Sequence, residues 1–94
     1  MNIENYFDLI NNNDLVILYF YSDDFEELNN DINIFESEND FSVIKINYKE
    51  NINLIDKLFI KSVPLFRIYK NHKLIEEIFG NYNNIINILK THIL

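Results

Sequence analysis

The stretch Lys61-Ser62-Val63-Pro64-Leu65-Phe66-Arg67-Ile68-Tyr69 carries the only proline of a 94-residue chain that has no cysteine. Proline has no ladder donor and a fixed φ, so within a sheet it belongs at a strand's first residue or on an edge. Pro64 is therefore read as the start of a strand. The Val63–Pro64 bond is also the one place where a cis peptide is cheap, at about 0.5 to 1 kcal/mol against several elsewhere. A cis bond would set the backbone of Val63 in a tight, exposed turn.

Working outward, that strand and a second one follow from the same region. Leu65 to Lys70 and Lys73 to Phe79 are separated by Asn71-His72, residue types that tolerate the positive φ of a two-residue hairpin loop. Gly80, the only glycine, closes the second strand, and Tyr82, Ile85, Ile86, Leu89 and Ile93 then recur at helical spacing. On the N-terminal side, Leu15-Val16-Ile17-Leu18-Tyr19-Phe20-Tyr21 is apolar on both faces, the pattern of a central parallel strand covered on both sides. Before it, Ile3, Tyr6, Phe7 and Ile10 predict a helix over Asn2 to Asn11 with Asn2 as N-cap. After it, Ser22, Asp23 and Asp24 offer cap oxygens to a helix whose buried stripe is Phe25, Leu28, Ile32 and Phe35. Phe41 to Tyr48 reads as another strand. Ile52, Ile55, Leu58 and Phe59 predict a short helix after Asn51.

Composition bounds the function. One domain over residues 1–94 is expected, with hydrophobic and aromatic contents of 48% and 15% marking a globular chain. Seventeen Asn and seventeen Ile point to nucleotide bias in the source genome, which makes the asparagine runs ordinary loops and caps. The N-terminus has no basic and apolar leader, and the longest apolar run, Leu15 to Tyr21, is far short of the roughly 20 residues that span a bilayer. A soluble, cytoplasmic protein is expected. Zero cysteine excludes disulfides, thiolate metal sites and thiol catalysis. Residues 1–44 carry eleven carboxylates and no Lys or Arg, and residues 45–94 carry four carboxylates and all eight basic side chains, giving −11 and +4. Such a surface repels phosphate backbones and anionic lipid, so neither nucleic acid nor membrane is an expected partner.

The order helix, strand, helix, strand, helix, proline-led hairpin and helix resembles the thioredoxin family over nearly the whole chain. Leu15 to Tyr21 looks like that family's central strand, Ser62-Val63-Pro64-Leu65 like its cis-proline loop, Lys70-Asn71 like its hairpin turn, and Gly80 like its strand-closing glycine. The family's short N-terminal strand is missing. The resemblance implies an α/β three-layer sandwich, with a central mixed sheet of about four strands and helices on both faces. It also implies a cis Val63–Pro64 bond whose preceding residue offers its backbone to an extended peptide.

The departure lies at the family's redox site. Where members have Cys-x-x-Cys at a helix start, this chain has Asp24-Phe25-Glu26-Glu27, which cannot exchange disulfides. The family's buried acid falls on Leu18, and a family lysine on Lys45, whose head is expected to reach elsewhere. What the resemblance leaves is a redox-inactive domain that binds a protein or peptide in a groove lined by Asp23, Asp24, Phe25, Val63, Pro64 and Gly80. The acids there favour a basic ligand. No cofactor, metal or catalytic residue is expected.

Two alternatives stay open. Glutathione transferases share this fold without needing cysteine and use a Tyr or Ser near the end of the first strand, where Tyr21 and Ser22 occur, although they add a helical domain. A weak calcium site on Asp23, Asp24, Glu26 and Glu27 is the other, against which stands their divergence around a helix start, where the dipole explains them structurally. His72 and His92 are read as solvated, and Arg67 as solvent-facing or paired.

Overall fold

The computed structural model describes residues 1–80 and 84–93. Helix α1 (Ile3–Asn11) is capped as its sequence predicts, the Asn2 side chain accepting the Asn5 N–H at 2.7 Å. Strand β1 (Leu15–Tyr21) follows, then α2 (Glu26–Asn39), β2 (Ile44–Asn47), α3 (Ile52–Lys57), β3 (Leu65–Lys70), β4 (Lys73–Phe79) and α4 (Ile85–Ile93). The strands form one sheet in the order β2-β1-β3-β4. Strand β1 runs parallel to β2 and antiparallel to β3, and β3 is antiparallel to β4.

Strand β1 is central, with one parallel and one antiparallel neighbour. Its apolar run reflects burial on both faces. Ile17 and Tyr19 join Leu28, Ile32 and Phe35 of α2 and Ile85 and Leu89 of α4 in one core. Val16, Leu18 and Phe20 point the other way and join Tyr6 and Ile10 of α1 with Leu54 and Ile55 of α3. Alternation along a single strand thus splits the interior into two layers of helix contact.

Several expectations need correction. Ser22, Asp23 and Asp24 do not cap α2: they form a turn closed by Phe25 N–H to Ser22 C=O at 3.2 Å, Phe25 occupies the N-cap without a side-chain bond, and only Glu26 and Glu27 lie in the first helical turn. Strand β2 is shorter than Phe41 to Tyr48. The Val43 N–H is taken by Glu36 Oε2 at 2.8 Å, and the Asn47 side chain accepts the Lys49 and Glu50 N–H groups at 2.9 and 3.3 Å, which turns the chain away. In α3 the buried residues are Leu54 and Ile55, and Ile52 is exposed; the helix ends at Lys57, so Phe59, expected within it, lies beyond its C-cap Leu58 and is exposed. Tyr82, expected at the start of the last helix, lies outside the described residues.

The hairpin adopts the predicted conformation, with Asn71 and His72 at φ 52 and 72°. Its tip is tied down by Asn71 N–H to Asp14 C=O at 2.7 Å and by His72 Nδ1, which donates to the Ile10 C=O at 2.9 Å. His92 Nε2 donates to Glu76 on β4. Both histidines therefore have protein partners and are not simply solvated. Gly80 follows β4 at φ 54°, and a Cβ added there would meet nothing within 4 Å, so conformation, and not space, favours glycine. Among the described residues, no helix is long and apolar enough to cross a membrane.

Candidate functional site

The sheet register brings the expected groove residues to one end. Phe20 of β1 pairs with Leu65 of β3, which pairs with Phe79 of β4. The segment after β1, the residues before β3 and the residue after β4 therefore converge at the same edge of the fold. These are Ser22 to Phe25, Val63-Pro64 and Gly80. The Gly80 N–H reaches the Pro64 C=O at 3.4 Å.

Within this end, Asp23 and Asp24 are exposed, Phe25 and Val63 are half-buried, Pro64 is buried and Gly80 is exposed. The Val63–Pro64 peptide is cis. Asp23 Oδ1 accepts from Asn47 Nδ2 at 3.1 Å, linking the loop after β1 to the end of β2. The buried Ser22 hydroxyl lies 3.4 Å from both Asp24 Oδ2 and the Asp24 N–H. Among the described residues, no hydrogen bond engages the backbone N–H or C=O of Val63. Of the four residues from Asp24 to Glu27, Asp24 and Phe25 precede α2, and Glu26 and Glu27 stand in its first turn, where the positive end of the dipole favours carboxylates. Among the described residues, no group of three or more His, Asp or Glu side chains is arranged to hold a metal ion.

Leu18 is fully buried among Tyr6, Ile10, Phe20, Ile46 and Leu65. Lys45 pairs in register with Tyr19, so it leaves the sheet on the opposite face from Leu18. Its Nζ meets Glu36 Oε1 at 2.5 Å and Asn33 Oδ1 at 2.8 Å on α2. Nearby, a cavity of about 200 Å³ is lined by Tyr19, Tyr21, Asn29, Asn33 and Lys45. The Tyr19 hydroxyl donates to Asn29 Oδ1 at 2.6 Å, and the Tyr19 ring stacks on Phe66 with centroids 4.5 Å apart.

One polar constellation is not visible in sequence patterning. On the α1 face the hydroxyls of Tyr6 and Tyr69 lie 3.0 Å apart, Arg67 Nη1 donates to the Tyr6 hydroxyl at 3.4 Å, and Arg67 Nε donates to Glu77 at 3.1 Å. The guanidinium also sits 5.9 Å from the centroid of the Phe20 ring. Burial, and next the bond to Tyr69, push the Tyr6 phenol well above the usual tyrosine range. Burial disfavours the Arg67 charge, yet the contacts with Tyr6 and Glu77 outweigh it and its pKa is raised. The sequence signal was Arg67 within an apolar strand, but its partners come from three separate elements.

This arrangement of a four-stranded mixed sheet, two helices on each face and a cis-proline at the strand end is a thioredoxin-like fold. The chain is similar to a point mutant of thioredoxin from Halobacterium salinarum, at 20% identity and a TM-score of 0.77 over 100% of this chain and 88% of that one. It is similar to thioredoxin f2 from Chlamydomonas reinhardtii at 22% identity and a TM-score of 0.78, covering 98% and 93% of the two chains. A thioredoxin from Plasmodium falciparum matches at 23% identity and a TM-score of 0.75, over 97% and 90%. At these identities the likeness is one of fold. No protein-family model matches the chain, and neither does any curated protein sequence. With no cysteine anywhere in the chain, thiol–disulfide exchange is chemically out of reach.

Proposed function

We propose that this redox-inactive, thioredoxin-like chain binds extended, basic polypeptide segments at the end of the sheet where Asp23, Asp24, Phe25, Val63, Pro64 and Gly80 meet. The observation that carries the reading is the backbone of Val63, half-buried at a strand end with neither its N–H nor its C=O engaged among the described residues. Free main-chain groups of this kind pair with an incoming strand, and the flanking side chains supply selectivity. Phe25 offers apolar contact, and the exposed Asp23 and Asp24 favour Lys or Arg on the ligand. No covalent step is involved.

The test is a titration of 15N-labelled protein with two extended peptides of equal length, one alternating Lys with aliphatic residues and the other alternating Glu. The basic peptide should shift the amides of Val63, Asp24, Phe25 and Gly80, and added salt should weaken it. The double variant Asp23→Asn, Asp24→Asn should bind it several-fold less tightly. Shifts clustered elsewhere, or equal responses to both peptides, would overturn the reading.

A further inference from the structure

Phe59 is a residue that the fold itself does not account for. It follows α3 with its N–H bonded to Asp56 C=O and the next N–H, of Ile60, bonded to Ile55 C=O, each at 3.1 Å. These bonds place Phe59 at the left-handed position of a Schellman turn, with φ 56°. A bulky aromatic side chain is strained there. Scarcity of glycine is not the cause, because the other non-glycine residues at positive φ among the described residues are Asp40, Asn71 and His72, which tolerate it, and asparagine is abundant in this chain. Nor does burial compensate, since Phe59 is 82% exposed. A residue that is strained and also presents its ring to water points to a contact outside the chain.

We propose that Phe59 docks on a second copy of this chain, beside Ile34 of α2. Charge complementarity selects that occupant. Phe59 is flanked by Lys57 and Lys61, both exposed and without an ion pair among the described residues. Ile34 is 48% exposed and stands on α2 between Asp31, three residues before it, and Glu38, four after it, all on one helical face. The surrounding segment, residues 23–40, carries eight carboxylates and no cation. Helix α3 packs on one side of the sheet and α2 on the other, so a chain cannot satisfy its own Phe59. The contact is heterologous: each copy offers a knob on one face and a seat on the opposite face, giving an open head-to-tail series. Two apolar side chains and four charges make a small interface, so the association is weak and salt-sensitive.

The test is sedimentation of the intact chain up to millimolar concentration at low and high salt, with the variants Phe59→Gly and Ile34→Ser. In low salt the weight-average mass of the wild type should rise past that of two chains, and high salt should reverse the rise. Each variant alone should stay monomeric, and a one-to-one mixture of the two should stop at dimers, because each supplies the end the other lacks. Phe59→Gly should also melt at a higher temperature than wild type, which separates lost docking from misfolding. A monomeric wild type, or variants that associate as the wild type does, would overturn the proposal.

Discussion

At the scale of single residues, the side chains that matter most are those that meet partners from distant parts of the chain. Tyr6 is buried, and its hydroxyl is shared with Tyr69 and Arg67. Its phenol is raised above the unbound value of 10.0, mainly by burial, so the folded protein keeps the proton when the unfolded chain begins to lose it. The unfolded state then binds fewer protons, and stability falls as pH rises. The contribution of Tyr6 is whole below about pH 10 and is lost progressively above it. Denaturant titrations at pH 9 and at pH 11 should show a steeper loss for wild type than for Tyr6→Phe, and at neutral pH that substitution should cost about 1 kcal/mol. Equal slopes would mean that Tyr6 does not govern the alkaline limb. Helical spacing marked Tyr6 as a core residue; nothing local marked its hydroxyl as the centre of a polar network.

Among the elements, β1 shows how completely a local pattern can specify its surroundings. Seven apolar residues demanded cover on both faces, and the structure supplies α2 and α4 on one and α1 and α3 on the other. The same burial makes Leu18 irreplaceable by the acid that the family resemblance assigns to its position. Leu18→Asp should cost about 3 to 5 kcal/mol, a large part of the stability of a typical domain. A carboxyl held there has its pKa raised, so the penalty should grow as pH climbs from acid toward neutral. Denaturation midpoints across that range check it, and a loss that does not depend on pH would mean that the carboxylate has found water. Strand β2 was less legible. Its limits depend on Glu36 and Asn47, whose side chains compete for backbone groups in a way that hydropathy does not register. Both sheet edges carry features that resist pairing: β2 has four residues and a charged Lys45, and β4 has a register shift together with Lys73, Glu76 and Glu77.

For the whole molecule, a net charge of −7 is divided between an acidic first half and a mildly basic second. The fold puts Asp24, Phe25, Glu26 and Glu27 at the start of α2, and the chain has no cysteine. A carboxylate is neither a disulfide nucleophile nor a two-electron reductant, so in an insulin-reduction assay the purified chain should leave the rate at background with any thiol or enzymatic reductant. Turnover above background would contradict this chemistry. Binding of the kind proposed needs only backbone, apolar and charged groups, and no thiol.

What the sequence determined by itself is the architecture and the missing chemistry. Apolar periodicity, one proline, one glycine and an Asn-His turn are local signals, and each restricts the backbone wherever it occurs. Counting cysteines needs no structure. Only the tertiary structure decided that Ser22 to Asp24 form a turn instead of a cap, that Lys45 reaches Glu36, that Tyr6 joins Tyr69 and Arg67, and that Phe59 is left in solvent. Each of these depends on which donor, acceptor or apolar surface arrives from elsewhere in the chain, and strand register and helix phase settle that only once the layers have packed.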